Sequence, residues 1–508
     1  MDNNTKIAFN SVIIFVRLCI VTIVSVIASR MVLDALGASD FGLYNVVGGI
    51  VALLNIVNAS MTSTTYRFVA YELGKGKEGN PNKVFSSSTF IHFVFALCIL
   101  MFGLVIGLWY VNSILNISVD KIDDARFVLV ISILTTSITT IFVPFNGLLV
   151  ACEKFALSAT IDIFSQIFRL CAIYFFLYGS DNHIRAYSII MLIYSLIQCG
   201  LVLFFCVREY LDIVRFRFCN TWIVYKDMLS FALWTLFGGI ANIGKIQGSA
   251  LLVNYFFGTV VNAAYAVGNQ VAGFVQSFAG SLSSAAIPQI TKNYSGGNLN
   301  RSMILTSYIS KYTYILMLIV AFPVLLDMNF LLSVWLKEVP EGSVVFCKLI
   351  VLDGLIGCIG AGIPSLVNAI GNIRFYQIII YSFTILGLPL SFLLYKIGYP
   401  SYYISLVFCI ISFIACALKV LMLNKYYKVN IKPLFKISYS RMFVLSIPLI
   451  AYYLIYNPAD LTTAGHFTWL IISEIVLILL IISIGLDKKE RLMLKELLSK
   501  ITTRLIIK

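Results

Sequence analysis

The sequence predicts an all-α polytopic membrane protein of about fourteen helices, and three observations carry that prediction. The 508 residues are 60% hydrophobic and 12% charged, against roughly 25% charged in an ordinary soluble domain. Apolar runs of about 20 residues recur along the whole chain, each long enough to cross a hydrocarbon core of roughly 30 Å. Basic residues alternate in density from one connection to the next, as they do when successive loops lie on opposite sides of a membrane.

In chain order, spans are expected near 11–33, 41–70, 85–111, 126–150, 157–178 and 185–206. Six more follow near 229–255, 259–287, 304–329, 344–370, 375–396 and 400–423, and a further pair near 441–456 and 466–485 precedes a basic tail. The start, MDNNTKIAFN, is too short and acidic for a signal-peptide n-region, so the first apolar run is read as a retained span. With the N-terminus inside, 26 of the 37 Lys and Arg residues fall on the inward side and seven on the outward side, while acidic residues split ten and ten. An asymmetry confined to Lys and Arg is the positive-inside pattern. Both termini are therefore expected on the cytoplasmic side. The net charge of +14 is then mostly topology, and no nucleic-acid partner is implied.

A stretch near the start recurs half a chain later. LGASDFGLYNVVGGIVALLNIVNASMTSTTYRFVAYELGKGK (36–77) has the outline of 257–298 at an offset of 221. Gly37 falls on Gly258, Tyr44 on Tyr265, Val46 on Val267, Ser60 on Ser281, Ser63 on Ser284 and Gly76 on Gly297. A second match, VPFNGLLVACEKF (143–155) on IPSLVNAIGNIRF (363–375), comes at offset 220 and aligns Pro144 with Pro364, Lys154 with Arg374 and Phe155 with Phe375. Helices 1–6 and 7–12 thus read as a parallel repeat, which in transporters builds two lobes around a midplane cavity. The expected domains are 1–220, 221–436 and an appended helix pair with its tail, 437–508. Pro144 and Pro364, at equivalent points, are expected to bend the walls of that cavity.

The 6+6+2 layout, the LGASDFGLYNV stretch and the EKF and IRF loops resemble the Wzx-type polysaccharide flippases. These belong to the multidrug/oligosaccharidyl-lipid/polysaccharide exporter superfamily, with the lipid II flippases and the MATE drug pumps as cousins. The resemblance implies a bacterial cytoplasmic (inner) membrane protein that flips an undecaprenyl-diphosphate-linked oligosaccharide by alternating access. Such a protein serves lipopolysaccharide (O-antigen), capsule or exopolysaccharide synthesis beside a polymerase and chain-length machinery. In the lipid II flippases the extra helix pair helps form a groove for the lipid tail, which by resemblance assigns that part to 441–485.

Ionisable residues inside spans cost about 2.5–3.5 kcal/mol each on insertion scales and are functional candidates by default. Four are basic (Arg17, Arg169, Lys245, Lys419) and three acidic (Asp162, Asp353, Glu474). Arg17 and Lys245 occupy corresponding helices of the two lobes. They are expected either to face the cavity and attract a diphosphate or to form interhelical ion pairs. Asp162 and Arg169 are seven apart, on one helical face, and either pair with each other or with neighbours; Arg169 is otherwise a further cavity cation for the diphosphate, and Asp162 the candidate for ion coupling. Arg30 and Arg67, at helix ends, are further cavity candidates, with interfacial anchoring as the competing role. Lys419 lies near a helix end and is expected to snorkel.

Other signals carry little. Eleven scattered cysteines without a CxxC pair and three dispersed histidines nominate no metal site. GIANIGK (239–245) has the core spacing of a phosphate-binding loop, but Ile246 stands where Ser or Thr must hold Mg²⁺ and no strand precedes it. Gly238, Gly239, Gly244 and Gly248 are read instead as close-packing positions between helices. No nucleophile–base pair is visible, so the reading is a transporter rather than an enzyme, without a cofactor beyond H⁺ or Na⁺ coupling. A MATE-like cation-coupled multidrug antiporter is the competing function, kept open by Asp162 and opposed by the absence of an acid in helix 1. A non-transporting scaffold fits poorly with two duplicated, proline-broken lobes.

Overall fold

The computed structural model describes residues 3–52, 54–113, 121–177, 179–336, 339–455, 462–488 and 490–492. Among them the regular structure is all helical. Helices run in order α1 (Asn3–Ala52), α2 (Leu54–Gly74), α3 (Pro81–Ser113), α4 (Ile122–Ala151), α5 (Phe155–Ala172), α6 (His183–Glu209), α7 (Leu211–Val214) and α8 (Trp222–Ser295). They continue with α9 (Leu299–Leu326), α10 (Met328–Trp335), α11 (Ser343–Ile359), α12 (Ile363–Ile370), α13 (Arg374–Ile385), α14 (Gly387–Ile397), α15 (Tyr403–Lys425), α16 (Ser440–Ile455) and α17 (Thr463–Leu480). Among the described residues ten helical stretches are long and apolar enough to cross a membrane, and α11 with α12, bent by 47°, makes an eleventh. These eleven coincide with eleven of the expected spans. The other three, 11–33, 41–70 and 259–287, are helical wherever described, inside α1, α2 and α8.

One boundary differs from the sequence expectation. A glycine turn at Gly37 was the expected start of the second span, yet α1 runs through it to Ala52. Leu36 and Leu43, seven apart and therefore on one helical face, are both buried in the same core, and a continuous helix keeps them there. At Gly258, the repeat counterpart of Gly37, the chain does break: φ 81° and ψ −175° interrupt α8, a conformation that favours glycine. The other aligned glycine pair behaves alike, since Gly76 and Gly297 both take positive φ, 64° and 81°.

Contacts divide the chain into two compact units. The first comprises Met1–Ile240 with Ile287–Asn298 and Asn368–Arg374; the second comprises Ala241–Ala286, Leu299–Val367 and Phe375–Lys508. In the first unit Phe85, Phe145, Leu148, Leu149 and Met228 form one core. Gly103 and Gly107, a GxxxG pair on α3, let α4 approach until an added Cβ would meet Ile133 at 3.2 Å and Leu129 at 2.9 Å, the small-residue packing common between membrane helices. The hydroxyl-rich second half of the expected second span now has a physical account. Thr64 and Thr65 donate to carbonyls one turn back, and Thr65 also bonds Ser88 on α3 at 2.6 Å, so polar groups are satisfied without water. Outward, α3 shows Met101, Phe102, Val105 and Trp109, an apolar face suited to lipid.

The prolines act differently. Pro144 lies inside an α4 that continues to Ala151; it leaves the Thr140 carbonyl without a helical donor. Pro364 stands just after the break between α11 and α12, where it cannot donate to the carbonyl of Gly360, the residue that ends α11. Gly362 in that break has no room for a side chain: a Cβ would sit 2.2 Å from the Thr306 carbonyl oxygen. Gly362→Ala is expected to cost about 1–3 kcal/mol through overpacking, read as a lower melting temperature of the detergent-solubilised protein; an unchanged melting curve would mean that the break has slack.

Candidate functional site

Each unit holds one polar cluster at in-span charges. In the first unit α1 carries Arg17, α5 carries Asp162 and Arg169, and α6 carries Tyr194 and Gln198. Arg17 Nη2 lies 2.6 Å from Asp162 Oδ2, and Gln198 donates to Asp162 Oδ1 at 2.7 Å. Asp162 is therefore taken by an interhelical partner and not by Arg169, although both project from one face of α5. Arg169 has no carboxylate partner among the described residues, and its Nε is buried without a hydrogen bond. Its guanidinium lies over the Tyr194 ring at 5.7 Å and within electrostatic reach of the Tyr44 and Tyr187 hydroxyls, whose rings meet edge to face at 4.7 Å. Gln166, one turn from Asp162, donates to the Tyr194 hydroxyl at 3.3 Å. The result is a cation set among phenols and amides, with no acid paired to it among the described residues.

In the second unit Lys245 on α8 meets Asp353 on α11 at 2.5 Å. Asp353 also accepts from Ser412 on α15, and the ammonium lies over the Phe408 ring at 4.7 Å. Lys245, Asp353, Tyr265, Asn269, Ser405 and Phe408 line part of a small cavity of about 20 Å³, room for about one water. Lys419, seven residues along α15 from Ser412, is half-buried against Gly360. Glu474 on α17 has both carboxylate oxygens buried without a hydrogen-bond partner. The two ion pairs do not copy each other across the repeat. Asp162 shifted by 221 falls at 383 and not at 353, so each unit fixes its first-helix cation with an acid from a different place.

Arg67 is held by backbone carbonyls, with Asp227 and Glu72 within electrostatic reach. Its Nε and Nη2 donate to the carbonyls of Asn368 and Ala369 at 3.0 and 3.4 Å, at the end of α12, where cations suit the helix dipole. The guanidinium is 4.4 Å from the Phe68 ring and 5.3 Å from that of Phe231. Arg30 lies on α1, but its side chain is outside the described residues. Residues 239–245 are inside α8, so the spacing that mimics a phosphate loop belongs to a helix. Of the glycines in and around it, Gly248 packs against Leu388, while Gly244 has nothing near.

Sequence reasoning missed two charged clusters. Glu153, in the EKF loop, is almost fully buried and accepts from Gln289 and Lys292, both at 2.7 Å. Lys311, 1% exposed, meets Glu490 at 2.6 Å, and Tyr312 donates to the same carboxylate. Opposite charges more than a hundred residues apart leave no local pattern, so only the unusual placement of an acid beside Lys154 in so short a loop could have marked Glu153. Among the described residues no group of His, Cys, Asp and Glu is placed to hold a metal.

No protein-family model matches this sequence, and neither does any curated protein. Solved structures do match. A crystal structure of MATE in the straight conformation aligns with a TM-score of 0.72 at 13% identity over 83% of this chain and 96% of that one. The outward-facing conformation of a multidrug resistance MATE family transporter of the MOP superfamily gives 0.72 at 12% over 83% and 95%. A MOP superfamily transporter from Pyrococcus furiosus, whose binding pocket is described as reversed in polarity, gives 0.71 at 13% over 83% and 95%. By its helices and by these likenesses the chain is an integral, multi-pass membrane protein with the fold of the MATE and wider MOP-superfamily transporters.

Proposed function

We propose that this protein is a membrane transporter that moves an undecaprenyl-diphosphate-linked oligosaccharide across the bacterial cytoplasmic membrane by alternating access, for lipopolysaccharide, capsule or exopolysaccharide assembly. The observation that supports this reading most is Arg169, a guanidinium on a membrane helix with no carboxylate partner among the described residues. A diphosphate cannot enter hydrocarbon without partners for its charge, and Arg offers a planar fork matched to phosphate oxygens. The neighbouring Tyr44, Tyr187 and Tyr194 add hydroxyl donors for phosphate or sugar oxygens. In this reading Arg17 and Lys245 act mainly by holding their helices through Asp162 and Asp353, and Arg67 by capping α12. A polysaccharide polymerase and chain-length proteins would then work downstream of it.

The competing reading, a MATE-like cation-coupled antiporter, rests on Glu474, the in-span acid without a partner. Asp162 serves it less well because Arg17 already neutralises it. The test is ligand-dependent melting of the purified protein with a polyprenyl-diphosphate glycan against a lipophilic cation such as tetraphenylphosphonium. At a free concentration of about 100 times Kd, binding adds roughly 2.7 kcal/mol of stability. Stabilisation by the diphosphate lipid and not by the cation is expected; the reverse result favours the antiporter.

A further inference from the structure

The run 210–226, YLDIVRFRFCNTWIVYK, joins α6 to the first turn of α8 and has no part in the sites above. It alternates arginine with phenylalanine at Arg215, Phe216, Arg217 and Phe218, and adds Trp222 and Lys226. All six side chains are exposed, Trp222 to 71%. An open aromatic patch rimmed by charge marks an interaction or membrane site. The run is also firmly placed, because it is tied to the start of α3. Asn82 donates to the carbonyls of Ile213 and Arg215 at 2.9 and 2.7 Å, and the Arg217 amide donates to the Ser86 hydroxyl at 3.1 Å. In its middle Cys219 is buried beside Ser87. The ties at 215 and 217 use backbone atoms alone, so the two guanidinium groups do not hold the run in place.

The depth of the aromatics is set by α3. Phe218 packs edge to face on Phe90 at 5.6 Å, Phe90 on Tyr225 at 5.8 Å, and the Trp222 ring lies 6.4 Å from that of Tyr225. Phe90 heads an exposed stripe with Phe93, Val94, Leu97 and Met101, whose three- and four-residue spacing keeps it on one face of α3. Since α3 is long and apolar enough to cross a membrane, that face meets acyl chains, and Phe218 and Trp222 continue it to its end. Aromatic rings suit this boundary, and cations beside them stand at headgroup level. We propose that the run is a binding site for an anionic phospholipid of the cytoplasmic leaflet. Arg215 and Arg217 hold the headgroup phosphate, while Phe216, Phe218 and Trp222 lie among the upper acyl chains. Charge selects the partner: Arg215, Arg217, Lys226 and nearby Lys83 outnumber Asp212 and Asp227, and Glu209 is taken by Lys154 at 2.5 Å. Arginine adds a planar fork matched to phosphate oxygens. The asymmetry of Lys and Arg along the chain is what assigns this end to the cytoplasmic side. The site needs no particular cargo and stands apart from the transport reading above.

Trp222 reports on the site. Full-length protein is reconstituted in nanodiscs of phosphatidylcholine and phosphatidylglycerol, with bromine on the acyl chains of one lipid or the other. The Trp222 signal is the fluorescence difference between each protein and the same protein carrying Trp222→Phe. At equal mole fraction, brominated phosphatidylglycerol should quench it several times more strongly than brominated phosphatidylcholine, since each cation near a lipid surface favours the anionic lipid about fivefold. Added salt should shrink the difference. The Arg215→Gln, Arg217→Gln double variant should be quenched equally by the two lipids, and Arg215→Lys, Arg217→Lys should keep part of the preference. The signal left in the Trp222→Phe proteins, which includes Trp109 on the lipid face of α3, should be quenched alike in all variants, which separates loss of the lipid from misfolding. Equal quenching of wild-type Trp222 by both lipids, quenching by neither, or a preference undiminished in the glutamine variant overturns the proposal.

Discussion

Lys245→Ala is expected to strip most of the protein from the membrane fraction, whereas the Lys245→Ala, Asp353→Ala double variant should be retained far better. The single change leaves Asp353 buried on α11 with Ser412 alone as donor, and an in-span carboxylate stranded in this way costs about 3–5 kcal/mol, comparable to the whole stability of many domains. Removing both partners leaves a void but no uncompensated charge. A double-mutant cycle on membrane abundance and melting temperature measures the difference, and coupling near zero would mean that the contact is not formed. Asp353→Asn should sit between the two, since the amide keeps a partner for Ser412 without a charge. The sequence reading offered Lys245 either as a cavity cation or as half of an ion pair, and the geometry favours the pair.

Arg169→Ala is expected to do the opposite: normal protein, little export. Among the described residues no carboxylate pairs with Arg169, so its removal should strand none of them, and abundance should stay near wild type. If the cargo's diphosphate is held there, the loss of its charged hydrogen bonds is worth about 2–3 kcal/mol, roughly a hundredfold in affinity. Arg169→Lys should restore charge without the fork and recover part of the function. The measurement is surface polysaccharide in cells alongside glycan binding by purified protein. Undiminished export by Arg169→Ala at normal abundance would sink the role given to this residue. Arg17→Ala serves as the contrast: among the described residues it leaves Asp162 with Gln198 as its hydrogen-bond partner, and it should lose protein as well as activity.

Much of the architecture is legible in the chain because a membrane makes unusually strict demands of sequence. A run must be long and apolar to cross, and loops must carry Lys and Arg on one side, so eleven spans are recognisable without any tertiary information. Gly76 and Gly297, aligned by the repeat read from the sequence, both take positive φ. Where glycine spacing was read alone it misled: Gly258 breaks its helix, while Gly37 is absorbed into α1 because Leu36 and Leu43 share one buried face.

By itself, then, the sequence determines that this is a multi-pass helical membrane protein, where most of its helices run, and which few charges lie inside them. Those properties follow from local composition and from the price of polarity in hydrocarbon. Which charge meets which was decided only by tertiary structure. Arg17 takes Asp162 from 145 positions away, Lys245 takes Asp353, Arg67 is spent on a helix end, and Arg169 pairs with no acid among the described residues. A seven-residue spacing placed Asp162 and Arg169 on one face, but a shared face sets direction and not partnership. The partner is whichever opposite charge a neighbouring helix brings within bonding distance, and that is a property of packing, not of spacing along one chain.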